Sequence, residues 1–324
     1  MQVETGIDGS VTNGGAQHFR NLNCRLYNGK EMEYLAQTRE SKIWFAHHAV
    51  VNVNVETSSI PVMRGRSLKV LHRLQPKAGE TIHIEKISLI RTSRDMKYEG
   101  AAEDQIVDLL KQDGQEALRK IEQNTYEELK QESEKEWKAY WDSSDIKIQG
   151  DDFDQLAIRF ALYHLRIMAK ADDGRVGVGA KALTGEGYSG HSFWDTEMFI
   201  LPYYIFNEPK TARNLLEYRY KLLDCAKEKA KKYGFKGAMY PWEGAWTEDG
   251  ETCPEYGDLD LLTGEVRKNL MGEIEVHINA DIAYAVWQYY KVTQDADFML
   301  KYGCEMVLSI AEFWISRIEE RNGR

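Results

Sequence analysis

The side chains of this sequence best suited to chemistry are concentrated in three runs. In residues 183–197, three glycines, three aromatics, a histidine and three carboxylates share fifteen positions. That mix does not build a core. Gly185, Gly187 and Gly190 let the backbone bend tightly or be approached closely, so the run reads as a shaped loop leading into a helix that carries Phe199, Ile200 and Leu201. Trp194 beside Asp195 suits a sugar: the indole covers the apolar face of a pyranose while the carboxylate accepts hydrogen bonds from its hydroxyls. The plainer reading makes Ser192 or Asp195 a helix cap and Trp194 a packing residue. In residues 237–246, Trp242 stands next to Glu243, with Pro241 and Gly244 holding the turn, and the recurrence of aromatic plus acid is more informative than either copy. In residues 271–281, Glu275, His277 and Asp281 precede or enter a helix, and the spacing of His277 and Asp281 puts both on one helical face. His191 offers a third ligand for a metal reading. No HExxH or comparable signature accompanies it, so a hydrogen-bonded structural His277 is the preferred reading.

Loops of this kind need a rigid scaffold, and the rest of the chain supplies two. From about 18 to 94 the pattern has period two, strictly in Val51-Asn-Val-Asn-Val-Glu56 and nearly so in residues 68–74 and 81–90. Breaks at Asn28-Gly29, Pro76-Lys-Ala-Gly79 and Ser93-Arg-Asp95 separate about five strands with no helix between them, which predicts an antiparallel sandwich. Between about 100 and 145 the composition turns to Glu, Lys, Gln and Ala with apolar residues at helical spacing, including Leu118, Ile121, Tyr126, Leu129, Trp137 and Trp141. Asn124-Thr125 reads as the N-cap of a second helix there. From 151 onward every long segment is helical: Leu156, Phe160, Tyr163 and Ile167 mark one stripe, and Pro209 opens a helix through Ala212, Leu215, Leu216, Leu223 and Ala226. Further helices follow over about 277–292 and 298–317, the last with Tyr302, Met306, Ile310, Phe313 and Trp314 on one face.

The 324 residues suffice for two domains, and 43% hydrophobic with 29% charged residues is a globular composition. A net charge of −10 repels nucleic acid and anionic membranes unless a basic patch compensates. The densest cationic run, residues 227–232, reads as the solvated face and last turn of a helix. Cys24, Cys225, Cys253 and Cys304 are far apart, which fits a reducing cytoplasm. Neither an export signal nor an apolar run of about 18 residues is present, so the sequence predicts a soluble, cytoplasmic protein without nucleic-acid or membrane partners.

Thr184-Gly-Glu-Gly-Tyr-Ser-Gly-His-Ser-Phe-Trp-Asp-Thr-Glu197, Tyr240-Pro-Trp-Glu243 and Gly272-Glu-Ile-Glu-Val-His-Ile-Asn-Ala-Asp281 resemble, in order, the signature loops of glycoside hydrolase family 65, the maltose, trehalose, kojibiose and nigerose phosphorylases. Glu85-Lys86, Thr92-Ser-Arg-Asp95 and Ser144-Asp-Ile-Lys-Ile-Gln-Gly-Asp151 are also similar. The resemblance implies an α+β multidomain chain: the C-terminal part of a β-sandwich over 1–97, a helical linker over 98–147, and the first part of an (α/α)6 catalytic barrel over 148–324. It implies inverting phosphorolysis of an α-linked glucosyl disaccharide to β-glucose 1-phosphate, with inorganic phosphate as co-substrate, no cofactor and no metal, and a possible homodimer. Tyr188, Trp194, Asp195, Trp242, Glu243, Glu275 and His277 would then bind substrate. Ser189 stands where a basic residue is expected in many relatives, which bears on acceptor specificity. The family's general acid is a glutamate in a Gly-Pro-Asp-Glu motif, expected beyond Arg324, so the chain alone is expected to contain no catalytic residue and to be inactive. An inverting hydrolase of trehalase type and a non-catalytic sugar-binding protein are the alternatives.

Overall fold

The computed structural model describes residues 1–319, the side chains of Asn21, Leu22 and Asp258 excepted. The chain divides into two compact units, residues 1–140 and 141–324.

The first unit carries seven strands: β1 (Gln2–Asp8), β2 (Phe19–Tyr27), β3 (Glu31–Thr38), β4 (Trp44–Val53), β5 (Ser58–Arg64), β6 (Ser67–Arg73) and β7 (Ile84–Thr92). They form two antiparallel sheets, ordered β1-β6-β5 and β2-β3-β4-β7. Ile7, Leu68 and Val70 of the first sheet meet Met32, Tyr34, Ala36, Ala49 and Val51 of the second, the inward alternation of a sandwich. Asn28 and Gly29 both take positive φ, 51° and 70°, and join β2 to β3 in a tight hairpin of the kind that these residue types favour. The opening residues, unassigned from their pattern, form β1. The strict alternation through Glu56 overruns its strand, because β4 ends at Val53 and the chain then turns.

Helix α1 (Glu103–Ile121) lies within the segment expected to be a linker, yet it packs on β4 and β7 and buries Ile106, Leu110 and Leu118. Its Gly114 is required there, since a Cβ would come within 2.2 Å of the His48 ring. Helix α2 (Tyr126–Ser144) starts with a capping box. Thr125 Oγ1 accepts from Glu128 N–H at 3.3 Å, and Glu128 Oε2 accepts from Thr125 N–H at 2.7 Å.

The second unit contains α3 (Asp152–Met168), α4 (Leu201–Asn207), α5 (Pro209–Lys221), α6 (Leu223–Lys232), α7 (Met271–Ile274), α8 (Ile278–Thr293), α9 (Ala296–Phe298) and α10 (Cys304–Arg317). A hairpin, β8 (Tyr256–Leu259) with β9 (Val266–Lys268), interrupts them. Helices α4, α5, α6, α8 and α10 share one core, in which Leu201, Tyr204, Leu216, Ala226, Ile282, Val286 and Met306 are fully buried. On α10, Met306, Ile310 and Phe313 are buried as their shared face requires. The stripe marked along α3 faces outward, with Leu156 and Phe160 each 64% exposed, and Leu162 is the buried side chain. One expectation fails. In the cationic run, Lys229 is not solvated but turns inward on α6. No helix among the described residues is long and apolar enough to cross a membrane.

Candidate functional site

The three chemistry-bearing runs converge at one place in the helical unit. The first runs through a short turn at Gly187–Gly190 and a single wide turn at Thr196–Ile200 into α4. The left-handed residues of the bend are Tyr188 and Ser189, φ 60° and 55°, followed by Gly190 at 74°. Of the three glycines credited with bending this loop, only Gly190 takes a positive φ. Two consecutive non-glycine residues in that region are sterically costly and persist where the surroundings hold them.

Backbone pairing joins the first run to the second. Ser192 N–H donates to Gly244 O at 2.8 Å and Gly244 N–H to Ser192 O at 3.0 Å. Beside this bridge, His191 Nδ1 lies 2.5 Å from Glu243 Oε1. The third run enters through His277, whose ring centroid is 5.0 Å from that of Trp194 and 5.3 Å from that of Trp242, edge to face with Trp194 and inclined 65° to Trp242. Such edge-on contacts are favourable for quadrupolar rings and fix their mutual orientation. His277 is itself oriented, with Nδ1 2.7 Å from Asp281 Oδ2 and Nε2 3.5 Å from Glu275 Oε2.

The seven sequence-predicted residues thus take different positions. Trp194, Trp242 and His277 form the centre, with both indoles half-buried rather than sealed in the core. Asp195 follows Trp194 at the start of the wide turn and does not cap it, and its half-buried carboxylate has no protein partner among the described residues. Glu275 sits at the edge against His277. Glu243 is committed to His191. Tyr188 is 59% exposed and reaches the centre through Phe193, whose ring stands 5.5 Å from Tyr188 and 5.7 Å from Trp242. Neither His191 nor His277 joins a cluster of three potential metal ligands among the described residues.

What holds these loops escaped the sequence reading. Arg219 of α5 and Glu197 form a bidentate pair at 2.7 and 2.8 Å with both side chains 1% exposed, and Arg219 also donates to Phe193 O at 2.8 Å. Burial alone would lower the Arg219 pKa, but the Glu197 carboxylate outweighs it and holds the guanidinium above its ordinary value. One cation thereby closes the turn that displays Trp194 and Asp195. In the second run, Glu251 accepts from the backbone N–H groups of Trp242, Glu243 and Cys253 and from Lys229 Nζ. Asn279, fully buried on α8, accepts from Tyr240 N–H at 2.8 Å and donates to Val276 O at 2.7 Å, pinning the second run to the third. The available signal was Arg219 itself, a charge on the same helical face as Leu215, Leu216 and Leu222.

Residues 159–324 match the central catalytic domain of glycosyl hydrolase family 65, and residues 1–140 match its N-terminal domain. The chain belongs to glycosyl hydrolase family 65. Among curated relatives, it is 42% identical to a kojibiose phosphorylase of Halothermothrix orenii, over 100% of this chain and 42% of that protein. It is 37% identical to a kojibiose phosphorylase of Escherichia coli, over 99% and 42%, and 34% identical to an α,α-trehalose phosphorylase of Thermoanaerobacter brockii, over 97% and 39%. The chain therefore spans about two-fifths of the length of these relatives. A solved structure of a candidate kojibiose phosphorylase from the human microbiome shares the fold, with a TM-score of 0.79 at 24% identity over 99% of this chain and 39% of that one. In this family 65 chain, the α+β division into a sandwich and a helical unit is thus matched by both sequence and fold comparisons.

Proposed function

We propose that the protein carrying this chain phosphorolyses an α-linked glucosyl disaccharide, and that the Trp194, Asp195, Trp242 and His277 cluster holds the glucosyl ring. In this reaction the bond from the anomeric carbon to the leaving oxygen breaks as a bond to a phosphate oxygen forms on the opposite face. The leaving oxygen takes a proton, and the products are β-glucose 1-phosphate and the acceptor sugar. The observation that carries the reading is the convergence of two half-buried indoles around one oriented histidine, beside a carboxylate left without a protein partner. An open indole face takes the apolar face of a pyranose, and a free carboxylate accepts hydroxyl protons with no internal bond to break first. Glu275 and Tyr188 border that space. Glu243 contributes through His191, and we assign no residue of this chain the proton-donating role. Inorganic phosphate is the co-substrate, and the names of the relatives make kojibiose, trehalose and nigerose the first sugars to assay.

The test uses the complete gene product with each disaccharide, with and without phosphate. The expected result is phosphate-dependent release of glucose 1-phosphate from one of them. Asp195→Asn should lower kcat/KM by roughly 10–150-fold, the range for one hydrogen-bonded charge. Glucose released at equal rates with and without phosphate would show a hydrolase instead, and an unchanged kcat/KM in Asp195→Asn would remove that residue from the site.

A further inference from the structure

The stretch from Tyr240 to Gly244 has no regular secondary structure, yet its backbone is bonded almost throughout. Tyr240 N–H donates to Asn279 Oδ1, and Tyr240 O accepts from Lys229 Nζ at 3.3 Å. Pro241 has no N–H to satisfy. Trp242 N–H donates to Glu251 Oε2 at 2.8 Å and Glu243 N–H to Glu251 Oε1 at 3.0 Å. Glu243 O accepts from Thr252 N–H at 3.0 Å and Thr252 Oγ1 at 2.9 Å, and Gly244 pairs with Ser192. Glu251 is central to this arrangement. Cys253 N–H at 3.2 Å and the Lys229 ammonium complete its shell, so each carboxylate oxygen accepts two bonds. Lys229, its side chain 8% exposed, lies on α6 and ties the carboxylate to the helical core. A side chain at Gly272 would come within 3.3 Å of Glu251 Cδ, so the third run also rests on this group.

We infer that Glu251, anchored by Lys229, is the positioning residue for the substrate site: it sets the backbone of Trp242 and Glu243 and so aims both side chains. The inference rests on the sugar-binding reading given above, but its geometry is independent of it. Two consecutive N–H groups caught by the two oxygens of one carboxylate fix the peptide plane between them, and the Trp242 indole and the Glu243 carboxylate project from the two ends of that plane. Glutamine is the same size but cannot substitute. Its amide nitrogen would face either Trp242 N–H and Lys229, or Glu243 N–H and Cys253 N–H, so two of the four bonds are lost whichever way it turns. A loop displaced by about 1 Å loses on the order of 100-fold in a site that depends on positioning.

The experiment compares Glu251→Gln, Lys229→Gln and Trp242→Ala, singly and combined, in the complete gene product. Glu251→Gln should lower kcat/KM by roughly 10–100-fold, and by a smaller factor in the Trp242→Ala background, where the Trp242 contribution is already gone and only that of Glu243 is left to lose. A second readout needs no activity: the near-ultraviolet circular dichroism assigned to Trp242, taken as wild type minus Trp242→Phe, should collapse in Glu251→Gln. Loss of that signal without any phosphorolysis in the wild type would retain the positioning role and remove the proposed reaction. Should Glu251→Gln not fold, Lys229→Gln gives the same comparison with all three backbone bonds to Glu251 left available. The inference is overturned if the Trp242 signal survives in Glu251→Gln, or if the kinetic cost is as large in the Trp242→Ala background as in wild type.

Discussion

Arg219→Met removes the guanidinium from a site in which both partners of an ion pair are 1% exposed. Glu197 is then left buried with neither counter-charge nor donor, and Phe193 O loses the bond that closes the Trp194 turn. Removing one partner of a buried pair costs about 3–5 kcal/mol, because the remaining charge stays desolvated. For a unit the size of residues 141–324, 1 kcal/mol moves the melting temperature by roughly 2–4 °C, so a fall of roughly 6–20 °C is expected by calorimetry. Arg219→Met/Glu197→Met should recover most of that loss, since apolar groups of similar volume often replace a buried pair without cost. Sugar affinity should not recover with it, because the Phe193 carbonyl still lacks its donor. Glucose titration followed by tryptophan fluorescence separates the two effects. A single variant melting within about 2 °C of wild type, or a double variant no more stable than the single, would refute the assignment of Arg219 as the closure of this turn.

Two further outcomes follow from other parts of the fold. Burial, helped by Lys86 and His48, pushes His47 from 6.5 down to about 4, and burial lowers His48 as well. An unfolded imidazole takes its proton near 6.5 and the folded one only lower, so the unfolded chain binds more protons between those values. Stability conferred by the sandwich should therefore fall as pH drops from 6.5 towards 4, by about 1–2 kcal/mol for His47 after discounting for its partial exposure. Urea midpoints at pH 7 and pH 5 check this, and an equal slope in His47→Gln would contradict it. At Gly237, φ is +68° and a Cβ would lie 2.2 Å from Ser309 O and 2.5 Å from Phe313 N. Gly237→Ala should cost roughly 2–5 kcal/mol, from the left-handed backbone and the clash together. Gly234→Ala, at φ +80° with nothing within 4 Å, should cost only about 1–2 kcal/mol. Equal melting temperatures for the two would dismiss the contact with α10.

Local pattern carried far in this chain because many of its elements are set locally. Alternation placed the β6 and β7 strands and touched only the end of β4, Thr125 and Glu128 marked a helix start that needs only those two side chains, and the face shared by Met306, Ile310 and Phe313 gave α10 its buried side. The three loops stood out in the sequence because their glycines and carboxylates, set beside indoles in the first two and a histidine in the third, do not suit a core. Pattern gives the polarity of a face but not what covers it, which is why the α3 stripe pointed outward and Lys229 inward. Which loop side chains stay open to a ligand was a tertiary matter as well. Glu243 and Asp195 look alike beside their tryptophans, but only the fold supplies His191 to one and leaves the other unpartnered. Arg219 meets Glu197 and Phe193, and Glu251 meets Lys229 of α6, each more than twenty residues away in sequence, and a charge that gains its partner only after the chain has closed leaves no periodic trace in the sequence.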